Sequence, residues 1–382
     1  MGEPEMTARH GHGVRRRGTT PPLSRTMSRR RFLQVVGAAG LVAIGCGEKA
    51  PGEGITPSAS PSRVAVAWGD GYDRALLRQK VRDLLDSLGG LDDLVSPGDR
   101  VAIKVNLTGG TNIKPISGVS PIESYVTHPE VVRALGEALR DAGARELLIV
   151  EAVYEEASYR LWGYHDLAEA LDATLIDLNS PHPHSDFSRV PVGEGWFIYQ
   201  DFAFHPILQE IDVFVSVAKM KCHWSCGVTH SMKNLIGLVP ASHYRLDPTH
   251  AHRSALHGPD DEFKTRLPRV IIDLNRARPI DLALIDGIKT TEAGEGPWIK
   301  GIAPVEPGLL VAGRDPVATD AVATAIMGFD PTAAPPTAPF LRSDNHLHLA
   351  RLAGLGTNRL EEIDVVGPAI EEVGYTFRPA SG

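Results

Sequence analysis

Lys219, Lys221 and His223 recur at every second residue in the stretch IDVFVSVAKMKCHWSCGVTHSMKNLIGLVP, which runs from residue 211 to residue 240. Alternate residues of an extended chain share a face. The series Val213, Val215, Val217, Lys219, Lys221, His223 therefore starts as aliphatic core and ends as a cluster of cations. Ser231-Met232-Lys233-Asn234-Leu235 then reads as the opening of a short helix. A strand that ends in cations before a helix start is where open α/β sheets bind anions. If Lys104, Lys219, Lys221 and Lys233 surround one crevice, its natural occupant is a small anionic molecule, a carboxylate or a phosphate. Crowded ammonium groups depress one another's pKa, which would leave a lysine partly neutral as a base or Schiff-base nucleophile. On this reading Lys221, His223 and Lys233 are catalytic, and Lys104, Asn106, Lys219, Asn234, Asp286 and Asp315 hold the ligand. The competing reading pairs the same lysines with Glu151, Asp286 or Asp315 in a buried ion network.

Cys222, Cys226 and His230 stand at i, i+4 and i+8. On a helix that spacing lines one face and suits zinc, iron or copper. On an irregular backbone the same residues are inert thiols, or an oxidised pair in an oxidising compartment. Six of the fifteen histidines lie between His223 and His257, among them His243, His250, His252 and His257 in a polar loop with Asp247, Asp260 and Asp261. Such a loop binds metal, closes over the site, or is simply solvated.

The elements that must position these groups alternate. Strand patterns at 63–68, 101–107, 146–151, 174–178, 281–286, 308–313 and 363–366 are interleaved with helical patterns at 73–88, 128–143, 161–171, 267–278, 316–327 and 347–355. The alternation predicts an α/β fold: a mostly parallel, doubly wound sheet flanked by helices, in one body or in two lobes with the site between them. Lys104 and Asn106 fall on one face near the end of the second strand. Gly109, Gly110, Pro115 and Gly118 then make a long loop of the sort that covers or contacts a ligand. The aromatic segment between Val190 and His205 reads as a short antiparallel excursion.

Lys219-Met220-Lys221-Cys222-His223, Thr229-His230-Ser231-Met232-Lys233-Asn234-Leu235-Ile236-Gly237 and Gly98-Asp99-Arg100-Val101-Ala102-Ile103-Lys104-Val105-Asn106 occur together with His128-Pro129-Glu130, Asp286-Gly287, Gly294-Glu295-Gly296-Pro297 and Asp315-Pro316-Val317-Ala318. In these motifs and their order the chain resembles the domain of unknown function 362 family over roughly residues 63 to 367. Some members of that family add a ferredoxin-like iron–sulfur domain; this chain has no Cys-x-x-Cys-x-x-Cys run, so the resemblance implies no cluster held by this chain alone. A second likeness is to the nickel-pincer lactate racemase fold, which also sets Lys and His around a cofactor between two α/β lobes. The family likeness implies no particular activity; the Lys/His/Asn-lined pocket is read first as the site of a cofactor- or metal-dependent enzyme, and alternatively as that of a non-catalytic metabolite- or metal-binding lipoprotein outside the cytoplasm.

The formal net charge is −8, but residues 1–45 carry eight Arg against two Glu. Subtracting these from 39 basic and 47 acidic side chains leaves 31 and 45, so the remainder is strongly acidic and unsuited to nucleic acid. Ser28-Arg29-Arg30-Arg31-Phe32-Leu33-Gln34 resembles the twin-arginine export signal, and the uncharged run to Cys46 is too short to span a bilayer. Met27, just ahead of that motif, is the expected start. Ala43-Ile44-Gly45-Cys46 looks like a lipoprotein processing site; lipid anchoring at Cys46 and cleavage with release both remain open. The resulting organisation is a signal segment at 1–46, a Pro/Gly/Ser-rich tether at 47–61, a domain at 62–370 and a tail at 371–382. The expected partners are the export machinery and the small anion, and the expected location is outside the cytoplasm.

Overall fold

Val213, Val215 and Val217 turn to one side of the chain and Phe214 to the other, and both sides are fully buried. A strand apolar on both faces has to lie inside a sheet covered twice. The computed structural model describes residues 61–112, 115–249 and 253–381, and it places this strand in the middle of a ten-stranded sheet. The strands are β1 (Ser62–Trp68), β2 (Arg100–Lys104), β3 (Glu146–Glu151), β4 (Ala173–Asp177), β5 (Ser188–Pro191), β6 (Asp201–Phe204), β7 (Val213–His223), β8 (Gly227–Thr229), β9 (Leu282–Glu292), β10 (Ala303–Val305), β11 (Leu309–Gly313) and β12 (Ile363–Val366). Of these, β5 and β6 form a separate antiparallel pair, the excursion read from the aromatic segment. The longer helices are α1 (Arg74–Ser87), α2 (Pro129–Asp141), α3 (Tyr164–Leu171), α4 (Phe263–Ala277), α5 (Pro316–Ile326) and α6 (His346–Leu352).

The main path runs β12-β1-β11-β9-β7-β2-β3-β4. β9, β7, β2, β3 and β4 pair in parallel, as do β1 and β12, whereas β11 runs antiparallel to both its neighbours. The period of two sorts the core. Val101, Ile103, Leu147, Ile149 and Val215 pack with apolar residues of α1, α2 and α3. Ala102, Leu148, Phe214 and Ala283 pack with α4 and the segment around Leu235. α5 covers Val64, Ile285 and Val311. Helices therefore lie on both faces, which is the doubly wound α/β architecture. Residues 57–382 make one compact unit. The crevice accordingly lies along the strand ends of a single sheet, and not between two lobes.

From β2 the chain progresses outward through β3 to β4; it then returns, and β7 and β9 continue on the other side of β2. The order reverses between β2 and β7. In open parallel sheets that reversal leaves a crevice at the carboxyl ends of the two strands. Those ends carry Lys104 on β2 and Lys219, Lys221 and His223 on β7.

Candidate functional site

Two of the four lysines are neutralised where they stand. Lys104 Nζ lies 2.9 Å from Glu151 Oε1, at the end of the adjacent strand β3, and both side chains are buried. Burial lowers the Lys104 pKa to about 8 against the opposing pull of Glu151. Lys219 faces Asp286 across the β7–β9 ladder, Nζ to Oδ2 2.9 Å. Asp286 also accepts from the Tyr72 hydroxyl at 3.1 Å and the His128 backbone N–H at 3.1 Å. Burial lowers Lys219 as well, and Asp286 counters it.

Lys221 is different. Its ammonium donates to Asn106 Oδ1 at 2.9 Å and to the Tyr125 carbonyl at 2.6 Å, both neutral acceptors. Burial, with no carboxylate in contact, drives its pKa well below the ordinary lysine value. Alternation places Lys104 on the face of Ala102 and Lys221 on the face of Val217, so the two leave the sheet on opposite sides. They are nevertheless joined past the strand ends. Asn234 Oδ1 accepts from both Lys104 Nζ and Asn106 Nδ2 at 3.2 Å, and Asn106 accepts from Lys221. Asn234 Nδ2 closes the network on Ser216 Oγ at 3.0 Å. The structure thus brings Lys104, Asn106, Lys221 and Asn234 together, with Lys219 and Asp286 as a neighbouring pair.

Lys233 opens a turn of 3-10 helix, Lys233–Leu238. That turn is fixed by Asp320 of α5, which accepts from the Ser231 backbone N–H at 2.9 Å, the Ser231 hydroxyl at 2.5 Å and the Met232 N–H at 3.0 Å. Burial raises the Asp320 pKa to about 7. Gly237, in the same turn, packs against the ion pair: a Cβ there would overlap Glu151 Oε1 and fall 2.7 Å from Lys104 Nζ. We expect Gly237→Ala to cost about 1–3 kcal/mol of stability as an overpacked site. A urea midpoint equal to that of the parent would refute this fit.

A cavity of about 1210 Å³ opens at the end of β7; of the candidate residues His223 and Lys233 line it, whereas Lys104, Asn106, Lys219, Lys221, Asn234 and Asp286 lie outside its lining. Among the described residues, Lys233 lines it with neither a hydrogen bond nor an ion pair on its ammonium. Thr108, Gly109 and Gly110, from the loop expected to contact a ligand, line it too. His223 lines it beside Lys233. Its Nδ1 accepts from the Ser225 backbone N–H at 3.2 Å, which leaves the proton of the neutral ring on Nε2. Burial, reinforced by Lys233, holds the His223 pKa well below 6.5. His257, also on the wall, is held at about 4 by burial first and by Lys233 second. Arg253 on the same wall spends its guanidinium on the Val239 and Ala152 carbonyls, at 2.7 Å each.

Two expectations need correction. Asp315 was grouped with the ligand-holding residues, but β11 is antiparallel, so its end emerges at the opposite edge of the sheet, where Gly313 pairs with Ala283 at the start of β9. There Asp315 caps α5 through the Val317 and Ala318 N–H groups and accepts from Ser62. The Cys222, Cys226 and His230 trio does not converge, because the backbone is strand, turn and strand, and the helical spacing does not apply. Cys222 lies in one core cluster, donating to the Arg378 carbonyl, and Cys226 lies in another. Burial pushes both thiols up to about 12, as for cysteines packed in an apolar core. His230 Nε2 packs at 3.2 Å from Met327 Sδ. Among the described residues no three His, Cys, Asp or Glu side chains are grouped to hold a metal. His250 and His252 lie outside the described residues.

Sequence reasoning missed the roles of Glu295 and Asp320. Glu295 Oε2 accepts from the Trp224 N–H at 2.9 Å, and Oε1 accepts from Trp298 Nε1 at 3.1 Å. The signal was the Gly294-Glu295-Gly296-Pro297 motif, whose glycines suggest close approach without naming what approaches.

A family model described as domain of unknown function (DUF362) matches residues 101–325. The chain belongs to that family. The DUF362 match begins at β2 and ends within α5, so it encloses the lysine network, Lys233, Glu295 and the Asp320 clamp. The thylakoid-associated protein sll1697 of Synechocystis sp. is similar to this DUF362 chain, 28% identical over 274 residues that make up 71% of this chain and 76% of that protein. Two solved structures also match. The lactate racemase apoprotein of Thermoanaerobacterium thermosaccharolyticum is 13% identical with a TM-score of 0.34, covering 65% of this chain and 54% of that one. A Thermotoga maritima protein is 11% identical with a TM-score of 0.35, covering 62% and 55%. The chain thus spans about half the length of either solved structure.

Proposed function

We propose that this DUF362 chain is an enzyme that takes a small anion into the cavity at the β2–β7 switch point. Lys233 holds the anion, and neutral His223 donates its Nε2 proton to it. The observation that carries this reading is the Lys233 ammonium, sunk in the wall and unpartnered among the described residues, while Lys104 and Lys219 are each matched to a carboxylate. A cation left without a partner at a sheet's switch point is a ligand site by the general logic of α/β folds. Lys221 acts from beneath: its amino group holds Asn106, which in turn donates to Asn234, and so fixes these amides without meeting the ligand itself. A cofactor, as the sequence reading expects, would enter the same cavity.

The alternative is capture without catalysis, favoured by the completeness of the Lys104–Glu151 and Lys219–Asp286 pairs. Turnover of any bound anion separates the two. The export reading stands on residues 1–46, which lie outside the described residues. No described helix is long and apolar enough to cross a membrane. Sequencing the N-terminus of the protein recovered from its own cells tests the export and lipid-anchor readings together.

Titration of the purified full chain with acetate and with inorganic phosphate, followed by calorimetry and by the thermal midpoint, tests the Lys233 assignment. Saturable binding that Lys233→Gln weakens at least about tenfold is expected, since a charge-assisted contact is worth roughly 1.5–3 kcal/mol. The folded state of the variant should be intact, because the ammonium holds nothing else. Equal binding by parent and variant would overturn the proposal.

A further inference from the structure

Trp298 stands at the cavity with 47% of its surface open to solvent. An exposed indole is commonplace, but this one is held in place. Gly296 lies directly under the ring, and a Cβ at that position would run into the six-membered ring itself. Gly294 makes the same room for Ile299, another lining residue, whose side chain would meet a Cβ at 2.7 Å. The indole Nε1 donates to Glu295 Oε1, and the other oxygen of that buried carboxylate is tied to the turn after β7 through the Trp224 N–H. A large flat apolar surface is therefore fixed at the rim, seated on two glycines and pinned through one carboxylate. Tyr125 also meets the indole in a T-shaped contact, ring centroids 6.1 Å apart, and 47% of the Trp298 surface is still left open. The cavity is also larger than the roughly 300–1,000 Å³ typical of sites for drug-sized ligands, so an anion of a few atoms would leave most of it filled with water.

We infer that the ligand is an anion carried on a flat apolar body, an aromatic carboxylate in class, which stacks on Trp298 while its carboxylate meets Lys233. This rests on the assignment of Lys233 as the anion-holding cation and adds to it the nature of the rest of the molecule. A preformed ring platform stacks a planar ligand at little entropic cost, since the indole is already ordered.

The test compares acetate, 2-naphthoate and the uncharged 2-naphthalenemethanol on the full chain and on Trp298→Ala, Trp298→Phe and Lys233→Gln. Binding is measured by calorimetry and by tryptophan fluorescence. Naphthoate is expected to bind at least about tenfold tighter than acetate. Trp298→Ala should remove most of that ratio while leaving acetate unchanged, Trp298→Phe should keep most of it, and the alcohol should bind weakly throughout. Naphthoate binding no tighter than acetate, an unchanged ratio in Trp298→Ala, or alcohol binding as tight as naphthoate would each overturn the inference. In those cases Lys233→Gln would still weaken acetate. Loss of that last effect would instead bring down the Lys233 assignment and this inference with it.

Discussion

Asp286→Ala should lower the unfolding free energy by about 3–5 kcal/mol, the range expected when one partner of a buried ion pair is removed. Asp286 is fully buried and receives four donors: Lys219 Nζ, the Tyr72 hydroxyl, and the backbone N–H groups of His128 and Ile288. Without it, the Lys219 ammonium keeps Tyr72 OH at 3.1 Å and the Ile122 carbonyl at 3.4 Å, too little to support a buried charge. A loss of that size is a large share of the roughly 5–15 kcal/mol that holds an ordinary domain together. The double variant with Lys219→Met should recover more than half of the loss, because it removes the orphaned charge along with its partner. Urea denaturation of the three variants provides the measurement. A single-variant loss under about 1 kcal/mol would show that the pair is not where the stability lies.

The second large effect is on pH. Burial holds His230 and His346 at about 3 and His128 and His257 at about 4, all far below the ordinary 6.5. The folded chain keeps these rings neutral while the unfolded chain would protonate them, so between about 4 and 6.5 the unfolded state binds more protons. Stability from this source is fully present above pH 6.5 and is lost as pH falls toward the folded-state values. Asp320 works in the opposite sense. Its pKa is raised to about 7, so its contribution is complete below the ordinary carboxylate value near 3.8 and declines as pH rises to about 7. Four imidazoles outweigh one carboxyl group, because displacing a single ionisation by one pH unit is worth about 1.4 kcal/mol. The urea midpoint should therefore fall by more than half between about pH 7 and about pH 4.5, and His346→Leu should flatten the profile. A profile level across that interval would contradict the buried neutral histidines.

Much of the architecture was legible because it depends on local pattern. The aliphatic run before Lys219, the alternating strands and helices, and the His128-Pro129-Glu130 helix start each carry their own periodicity or capping chemistry. The cationic end of β7 was legible for the same reason. Glu151 and Asp286, the carboxylates that pair with Lys104 and Lys219, were named in the competing ion-network reading, but which lysine each would meet was not legible. Asp286 lies 67 residues beyond Lys219, and only the β7–β9 register places them side by side. Asp315 resembled Asp286 in sequence, a carboxylate at the end of a strand, and nothing local revealed that β11 runs backwards. The cysteine spacing misled because it acquires meaning only on a helix. Glu295 and Trp298 went unassigned as a pair because the role of a glycine seat is visible only once the ring lies on it.

β1, near the start of the described chain, is held between β11 and β12, two strands from its final quarter. During synthesis on the ribosome β1 thus has no neighbour until β11 has been made, and its ladder with Ile363–Val366 has to wait longer still. Long sequence separation between partners slows folding. A chain broken off before residue 309 would leave β1 with neither partner and the adjoining edge of β9 bare, a ready template for aggregation. Cover for both edges therefore rests on Leu309–Gly313, the strand that lies between them.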